Sequence, residues 1–471
     1  MVLARRSLAG ALALLASACL PAAERQLRGD LERGGQQLAE LPDFDARPLG
    51  DDWDSPADFD GSPEAYVEYA LAHDRSLRAS WERWRAATHR IASERRLPMP
   101  SITYGGFVSS VETRVGPQRH RLSVRQSFPW PGVLTAGADA AAMQARVMQR
   151  EFEAAALEVR ARVLTAYWRL WAVRGVRAIQ AEQAELLEAL SEAARARLTI
   201  GKASLADVQQ LDLGRARLDD AILGLDEAEH EAAAMLLASV GAPPQSETPT
   251  RAEPPELELP SQGEAQLRGG LADHPRLARW RDQAAASDLR VREARNARLP
   301  GFAFGVDWIE VGPARMPNVA DSGKDAVVIN VGIELPLWQS NYAQDQKAHQ
   351  ADAAAARAEW AAARDRAAAD LAVALSSIRD SARRATLHER TLIPQAQGVL
   401  ESQLGEYVSG QSELAAILLA ERDLLELRLE LVRIHANHAI AWAELERIAG
   451  RSVEGASEPE PARPEEESNH E

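Results

Sequence analysis

The chain has 471 residues, of which 46% are hydrophobic and only 5% aromatic, and its formal net charge is −16 at pH 7. A composition driven by alanine and leucine favours long helices. The negative charge argues against any sizeable contact with nucleic acid, because phosphates need basic partners. A single cysteine excludes an intramolecular disulfide and a cysteine-based zinc site.

The N-terminus has the pattern of an export signal. Arg5 and Arg6 precede an apolar run over 8–15, and small residues follow up to Cys19. Residues 1–18 are therefore predicted to be a signal peptide and Cys19 the lipidated first residue of the mature chain; ordinary signal cleavage is the alternative. No later segment has about 18 consecutive apolar residues, so a mature chain that spans a membrane must use strands. The polar residues 19–62 indicate an extended N-terminal segment.

The first half of the chain, residues 63–240, combines helical and strand patterns. A helical pattern from 63 to 96 ends at Leu97-Pro98, and residues 99–128 have the alternation of a strand pair around Gly116-Pro117. A helix of roughly 100 Å is then predicted from 133 to 200. Gly201 makes a turn, and a shorter helix follows over 205–240.

The second half repeats this order. After a Pro/Glu-rich linker at 241–263, residues 264–450 show a helix (264–298), strands (301–335), a long helix (342–409), a turn at Gly410 and a helix (413–448). Gly201 and Gly410 are 209 residues apart, whereas Pro129 and Pro336 at the strand exits are 207 apart. A repeat of this length indicates a duplicated domain. The acidic tail, 451–471, is predicted to be disordered.

These elements resemble the TolC-like family of outer-membrane efflux ducts (outer membrane factors). The resemblance covers residues 63–450 and rests on HPRLARWRDQAAASDLRVREARNARLPGFAFG, on the strand exits QSFPWPG and IELPLW, and on the turn motifs IGKASLADVQQ and YVSGQSELAAILLAERDLL. It implies a mainly α fold with membrane β-structure, in which a homotrimer forms a twelve-stranded β-barrel continued by a long periplasmic α-helical barrel. It also implies the outer-membrane channel of a tripartite efflux or export system, docked on a periplasmic adaptor and an inner-membrane pump.

Elementary physics agrees with a barrel. A four-stranded sheet cannot close on itself, and its unpaired edges could not lie in lipid, whereas three chains supply about twelve strands. Trp130 and Trp338 are expected at the membrane interface, with packing between helices as the alternative. The residues expected to face lipid are Leu122, Val124, Ile329, Val331, Ile333 and Leu335, and those expected to face the lumen are Arg121, Ser123, Arg125, Asn330 and Glu334.

By the same resemblance, the two helix turns are expected to dock on the adaptor. The residues concerned are Gly201 and Lys202 in the first turn and Gly410 and Gln411 in the second. The glycines also permit a tight turn, and both roles can hold together.

The resemblance also implies a periplasmic gate near these turns. Asp207 and Tyr407 match residues that hold the family's gate closed, through a hydrogen bond from the phenol to the carboxylate. Two ordinary surface residues are the alternative. An arginine of the family pattern is replaced by Ser412, so one link of the gate is missing, and Glu413 is the candidate substitute for the negative charge that the family's acidic constriction would supply. The family's acidic constriction falls on Ala416 and Leu419, which predicts a less acidic gate.

No catalytic or cofactor-binding motif is present, so the sequence predicts no enzyme and no cofactor. His435 and His438 share a helix face and could hold a transition metal; an interhelical or solvated pair is the favoured interpretation. Two other functions are the alternatives to an efflux duct. A periplasmic adaptor would carry one helical hairpin between lipoyl-like halves, whereas this chain has two hairpins. A structural coiled-coil protein would lack amphipathic strands. The FPWPG strand exit is similar to that of heavy-metal ducts, so the candidate cargoes are heavy-metal cations or drugs.

Overall fold

The computed structural model describes residues 22–39, 57–409 and 411–456. The predicted signal peptide, Cys19, Gly410 and residues 457–471 of the acidic tail lie outside these ranges. The helices are α1 (Ala22–Ala39), α2 (Pro63–His73), α3 (Arg75–Glu94), α4 (Pro131–Thr199), α5 (Leu205–Val240), α6 (Glu264–Gly270), α7 (Pro275–Asn296), α8 (Gln339–Leu387), α9 (Ile393–Ser409) and α10 (Leu414–Ala449). The strands are β1 (Ser101–Thr113), β2 (Gly116–Phe128), β3 (Leu259–Pro260), β4 (Gly301–Val311), β5 (Ala326–Glu334) and β6 (Gly455–Ala456).

The chain divides into two compact units. Unit one comprises Met1–Gly35, Trp81–Glu151 and Ala278–Ala362. Unit two comprises Gln36–Ser80, Phe152–Leu277 and Ala363–Glu471. Among the described residues, no helix has a stretch long and apolar enough to cross a membrane.

Unit one contains a four-stranded antiparallel sheet in the order β1-β2-β4-β5. Both strand pairs lie within the ranges that the sequence pattern assigned to strands. Ile102 pairs with Val124, Val124 with Val306, and Val306 with Ile329, so one apolar row crosses all four strands. Because side chains alternate along a strand, this register gives the sheet one apolar and one polar face.

The β1–β2 turn requires a glycine. Gly116 has φ +136°, and a Cβ there would lie 1.8 Å from the carbonyl oxygen of Gly312. The turn is also tied to the β4–β5 loop, because Gly312 N donates to Pro117 O and Gly323 N donates to Val115 O, both at 2.8 Å. A side chain at Gly116 would break this contact between the two strand pairs.

The N-terminal segment differs from the extended structure expected over 19–62, because Ala22–Ala39 form a helix. The stretch AAERQLRGDLERGGQQLA consists largely of good helix formers and contains no proline. Leu27 is buried in a cluster with Ala87, Ile91 and Ala145 of α3 and α4. This burial stabilises a helix in a segment whose polar composition predicted an extended structure.

The helices expected over 63–96 and 264–298 are each broken once. In the first, the Asp74 carboxylate accepts a hydrogen bond from Leu77 N (2.8 Å) and caps α3. In the second, His274 takes an extended conformation because Pro275 follows it, and its Nδ1 accepts from Arg276 N (3.1 Å). The two capping residues occupy corresponding places in the repeat.

The long helix of the second copy contains an irregular turn that the first copy lacks. α4 is continuous over 69 residues, whereas a π-helical turn at His388–Leu392 separates α8 from α9. The offset between the copies grows from 207 to 209 along this stretch, so the second copy carries two extra residues. A π turn accommodates one extra residue and rotates the following face by about 100°.

The two copies bury partly different positions beside the helix turns. In the first copy, Leu190 and Ala194 belong to an apolar cluster near the turn. The equivalent of Leu190 in the second copy, Val399, is exposed. The α9 residues that join the cluster are Leu400, Leu404 and Tyr407.

The linker at 241–263 is held against the helices of unit two. Tyr66 Oη donates to Pro249 O (2.9 Å), and Arg174 Nη1 donates to Thr248 O (2.5 Å). β3 of the linker pairs with β6 near the C-terminus. Residues 451–456, placed in the disordered tail by the sequence analysis, are therefore ordered, because they complete this small sheet.

Candidate functional site

The sheet of unit one presents an exposed apolar face. Below the row that contains Val306 and Ile329, Phe304 pairs with Val331 and Phe302 with Ile333. Phe302 and Trp308 are six residues apart on β4, about 20 Å at the usual rise per residue, which approaches the roughly 25 Å apolar band of membrane barrels. The exposed members of this face are Ile102, Tyr104, Leu122, Val124, Phe302, Phe304, Val306, Trp308, Val327, Ile329, Val331 and Ile333.

The opposite face carries paired charges. Arg121 forms an ion pair with Asp307, which also accepts a hydrogen bond from Asn330 Nδ2 at 2.8 Å. Arg125 pairs with Glu334 at 3.2 Å. Basic and acidic groups thus largely neutralise each other on the face that the sequence assigned to a lumen.

Aromatic side chains collect at the strand ends next to α4 and α8. The Trp130 ring lies 6.5 Å from the Phe302 ring, and the Phe128 ring 5.7 Å from the Phe304 ring. Trp338 is 72% exposed, so the packing role considered for this residue is not realised within one chain. Exposed tryptophan beside an apolar face is typical of a membrane interface.

The outer strands of the sheet are half-paired. Among the described residues, β1 pairs only with β2, and β5 pairs only with β4. Each therefore leaves a row of backbone N–H and C=O groups without a strand partner in the described part of the chain.

The first helix turn, in unit two, is closed and capped. Gly201 has φ +71°, which favours glycine, and Lys202 N donates to Arg197 O at 2.9 Å. Ser204 and Asp207 form a capping box, in which Ser204 N donates to Asp207 Oδ2 (2.8 Å) and Asp207 N donates to Ser204 Oγ (3.1 Å). The Lys202 side chain is exposed.

The second turn lacks a side-chain cap. Gly410 lies outside the described residues, but Gln411 N donates to Glu406 O at 2.8 Å. Glu413 occupies the N-cap of α10 and makes no side-chain capping bond. Gln411 and Glu413 are both exposed.

The hydrogen bond expected between Tyr407 and Asp207 is not formed in the chain. Asp207 is used by its capping box, and Tyr407 Oη is buried without a hydrogen-bond partner among the described residues. The Arg197 guanidinium instead lies 4.2 Å from the centre of the Tyr407 ring and donates to Tyr407 O at 2.7 Å.

Arg197 therefore links the two helix turns, and the sequence analysis missed it. The sequence offers only its place in the repeat, since Arg197 occupies the position of Glu406, the residue directly before Tyr407. A cation stacked on an aromatic ring contributes on the order of 0.5–1 kcal/mol when exposed and more when desolvated.

The two histidines of α10 have separate partners. His435 Nε2 lies 3.0 Å from Glu389 Oε1, and His438 Nδ1 lies 2.9 Å from Ser381 Oγ. Burial lowers the pKa of His438 to about 4, so this imidazole is neutral. Among the described residues, no group of three or more potential ligands could hold a metal ion, and the interhelical interpretation fits these contacts.

The comparison with known protein families decides the identity. The family model described as Outer membrane efflux protein matches residues 66–242 and 270–451. The chain belongs to the outer membrane efflux protein family. The two matched segments correspond to the two copies of the repeat. Members of this family are channels of the outer membrane and not enzymes.

Individual relatives agree with this assignment. The Outer membrane efflux protein BepC of Brucella suis biovar 1 (strain 1330) is 26% identical over 263 residues, 55% of this chain and 56% of BepC. The match thus spans about half the length of that relative.

Solved structures show the same fold. The outer membrane protein VceC of Vibrio cholerae matches with a TM-score of 0.68 at 20% identity, over 83% of this chain and 97% of VceC. The CmeC outer membrane channel of Campylobacter jejuni matches with a TM-score of 0.66 at 13% identity, over 84% of this chain and 87% of CmeC. The fold class predicted from the sequence, mainly helical with a β portion in a duplicated repeat, is confirmed.

Proposed function

We propose that this member of the outer membrane efflux protein family is the passive outer-membrane duct of a tripartite efflux system. The observation that carries the proposal is the sheet of unit one, with an exposed apolar face, a charge-paired polar face and two half-paired edges. In lipid, every backbone polar group must find a partner. The edges of β1 and β5 therefore need strands from other chains.

A homotrimer supplies those strands. Cyclic symmetry brings β5 of one chain to β1 of the next, and three four-stranded sheets give twelve strands around one lumen. The apolar face then meets lipid, and the exposed Trp338 lies at its periplasmic border. The helical repeats form the periplasmic barrel, as the family resemblance implies.

Membrane partition tests this assignment. The exported protein should stay in the outer-membrane fraction after urea extraction, and the purified protein should form channels in planar bilayers. A protein that washes off with urea would instead support a periplasmic adaptor or a structural coiled-coil protein. Lipidation of Cys19 would only supplement anchoring, because one acyl group gives marginal binding; the mass of the mature N-terminus identifies it.

The helix turns are proposed to dock on a periplasmic adaptor that connects the duct to an inner-membrane pump. The support is the exposure of Lys202 and Gln411 beside the two turns. Acidic replacement of both residues should abolish adaptor cross-linking and efflux while leaving assembly intact. Lys347→Glu, a charge reversal in α8 of unit one, is the matched control and should leave docking unchanged. Equal cross-linking in all variants would refute docking at the turns.

The proposed periplasmic gate lies at these same turns, with Asp207, Tyr407 and Glu413 as its candidate residues. Arg197 supports the assignment, because it already ties Tyr407 to the first turn within one chain. The cargo is proposed to be heavy-metal cations or drugs, chosen by the pump, since the paired charges of the polar face give the duct little preference of its own. A strain that lacks the protein is tested with both classes of compound, and the class to which it becomes sensitive identifies the cargo.

A further inference from the structure

A carboxyl group is buried without a partner near the second helix turn. Glu421 in α10 is only 7% exposed, and its Oε1 has no hydrogen-bond partner among the described residues. Its neighbours Ile417 and Ala420 belong to the apolar cluster formed by α4, α5, α9 and α10. An acid in such a place is costly when charged.

The first copy of the repeat shows what is missing. Asp212 occupies the position equivalent to Glu421, and it accepts hydrogen bonds from Ser191 Oγ (3.1 Å) and from Arg195 Nη2 (2.8 Å). In the second copy, the positions of these two donors are taken by Leu400 and Leu404. Both leucines belong to the apolar cluster.

Among the residues that the structure describes, no cation compensates the Glu421 carboxylate. Burial raises its pKa from the ordinary value of 4.5 to about 7, and desolvation is the only cause. Charged groups on the helices around the cluster have other partners or are exposed. The ion pairs are Asp212 with Arg195, Glu188 with Arg215 and Glu182 with Arg428, and Arg197 stacks on Tyr407. The exposed charged residues are Glu401, Arg422 and Asp423.

We propose that Glu421 is a proton-binding site that keeps the second helix turn closed when it is protonated and loosens the packing of α9 on α10 when it ionises. The importance of this movement for transport rests on the proposed function, because the proposed function places the periplasmic gate at this turn. The first turn has no equivalent site, since Asp212 accepts hydrogen bonds from Ser191 and Arg195.

The direction of the pH dependence follows from linkage. Below pH 4.5 the carboxyl is protonated whether the turn is closed or open. Between pH 4.5 and about 7 an open turn loses the proton and a closed turn keeps it, so opening becomes easier as the pH rises. Above about pH 7 the effect is complete.

Hydrogen exchange of the full-length detergent-solubilised protein tests the proposal. The opening constant of peptides spanning 396–425 is compared at pH 5.5 and pH 8, after correction for the intrinsic pH dependence of amide exchange. The wild type should open on the order of tenfold more at pH 8. Glu421→Gln should remove this increase and keep the protection seen at low pH.

Two further variants keep the test decisive. Leu404→Arg restores the arrangement of the first copy and should also remove the pH dependence, whereas Asp212→Asn, the matched change in the first copy, should leave it intact. A wild type without extra opening at pH 8, or Glu421→Gln with an unchanged pH dependence, would overturn the proposal. Exchange reports on the turn without any transport, so these results do not depend on whether the protein proves to be an efflux duct.

Discussion

Two neighbouring residues of β5 offer a test of the membrane-facing side of the sheet. Ile329 lies in the apolar row with Ile102, Val124 and Val306 and is 76% exposed. Val328 is next to it but faces the opposite way, where it pairs with Asp307. Ile329→Arg and Val328→Arg make the same chemical change on the two faces.

The expected difference between them is large. An arginine on the lipid face near the middle of a membrane barrel costs about 2–4 kcal/mol, whereas one in an aqueous lumen costs little. If three chains share one barrel, Ile329→Arg is repeated three times, and the loss is roughly 6–12 kcal/mol per trimer. At Val328 the new guanidinium would lie beside the Asp307 carboxylate, which offsets its own desolvation.

Refolding into lipid vesicles over a urea series measures both variants against the wild type. Ile329→Arg should lose most of its folded, membrane-inserted fraction, and Val328→Arg should insert nearly as well as the wild type. Equal losses in both variants, or a greater loss for Val328→Arg, would refute the assignment of the faces.

Three further outcomes follow from the turns. Arg197→Ala should raise single-channel conductance by freeing the second helix turn, whereas Arg195→Ala, on the same helix, should not; equal conductance would remove Arg197 from the gate. Gly116→Ala should lower the yield of folded protein sharply, because a Cβ there meets a carbonyl oxygen at 1.8 Å, while Gly105→Ala, with nothing within 4 Å, should fold normally. Glu413→Ser should supply the missing cap of α10 and stabilise its first turn by about 1 kcal/mol, seen as slower amide exchange there; unchanged exchange would contradict the capping argument.

Patterns fixed by backbone geometry could be predicted from the sequence. The alternation through Leu122 and Val124 reports directly which face of β2 is apolar, because a strand has a period of two. Leu97-Pro98 similarly marks a helix end, since proline disfavours helix in the preceding residue. The same reasoning applied to His274-Pro275 would have located the break between α6 and α7.

Features that depend on tertiary packing could not be predicted in this way. The helix at Ala22–Ala39 is stabilised by burial of Leu27 against distant residues, and composition alone gives no sign of this. Glu421 looks like an ordinary exposed acid in the sequence, and only the structure shows that it is buried. The stacking of Arg197 on Tyr407 joins residues 210 positions apart, beyond the reach of any local pattern.

Disulfide mapping of the sheet edges tests the central claim most directly. Single cysteines are placed along β1 and along β5 in a Cys19→Ser background, combined in pairs and oxidised in the membrane. A closed trimeric barrel predicts bonds only between β5 of one chain and β1 of the next, in one register, with a covalent product of three chains. Bonds within one chain, or a largest product of two chains, would contradict the account.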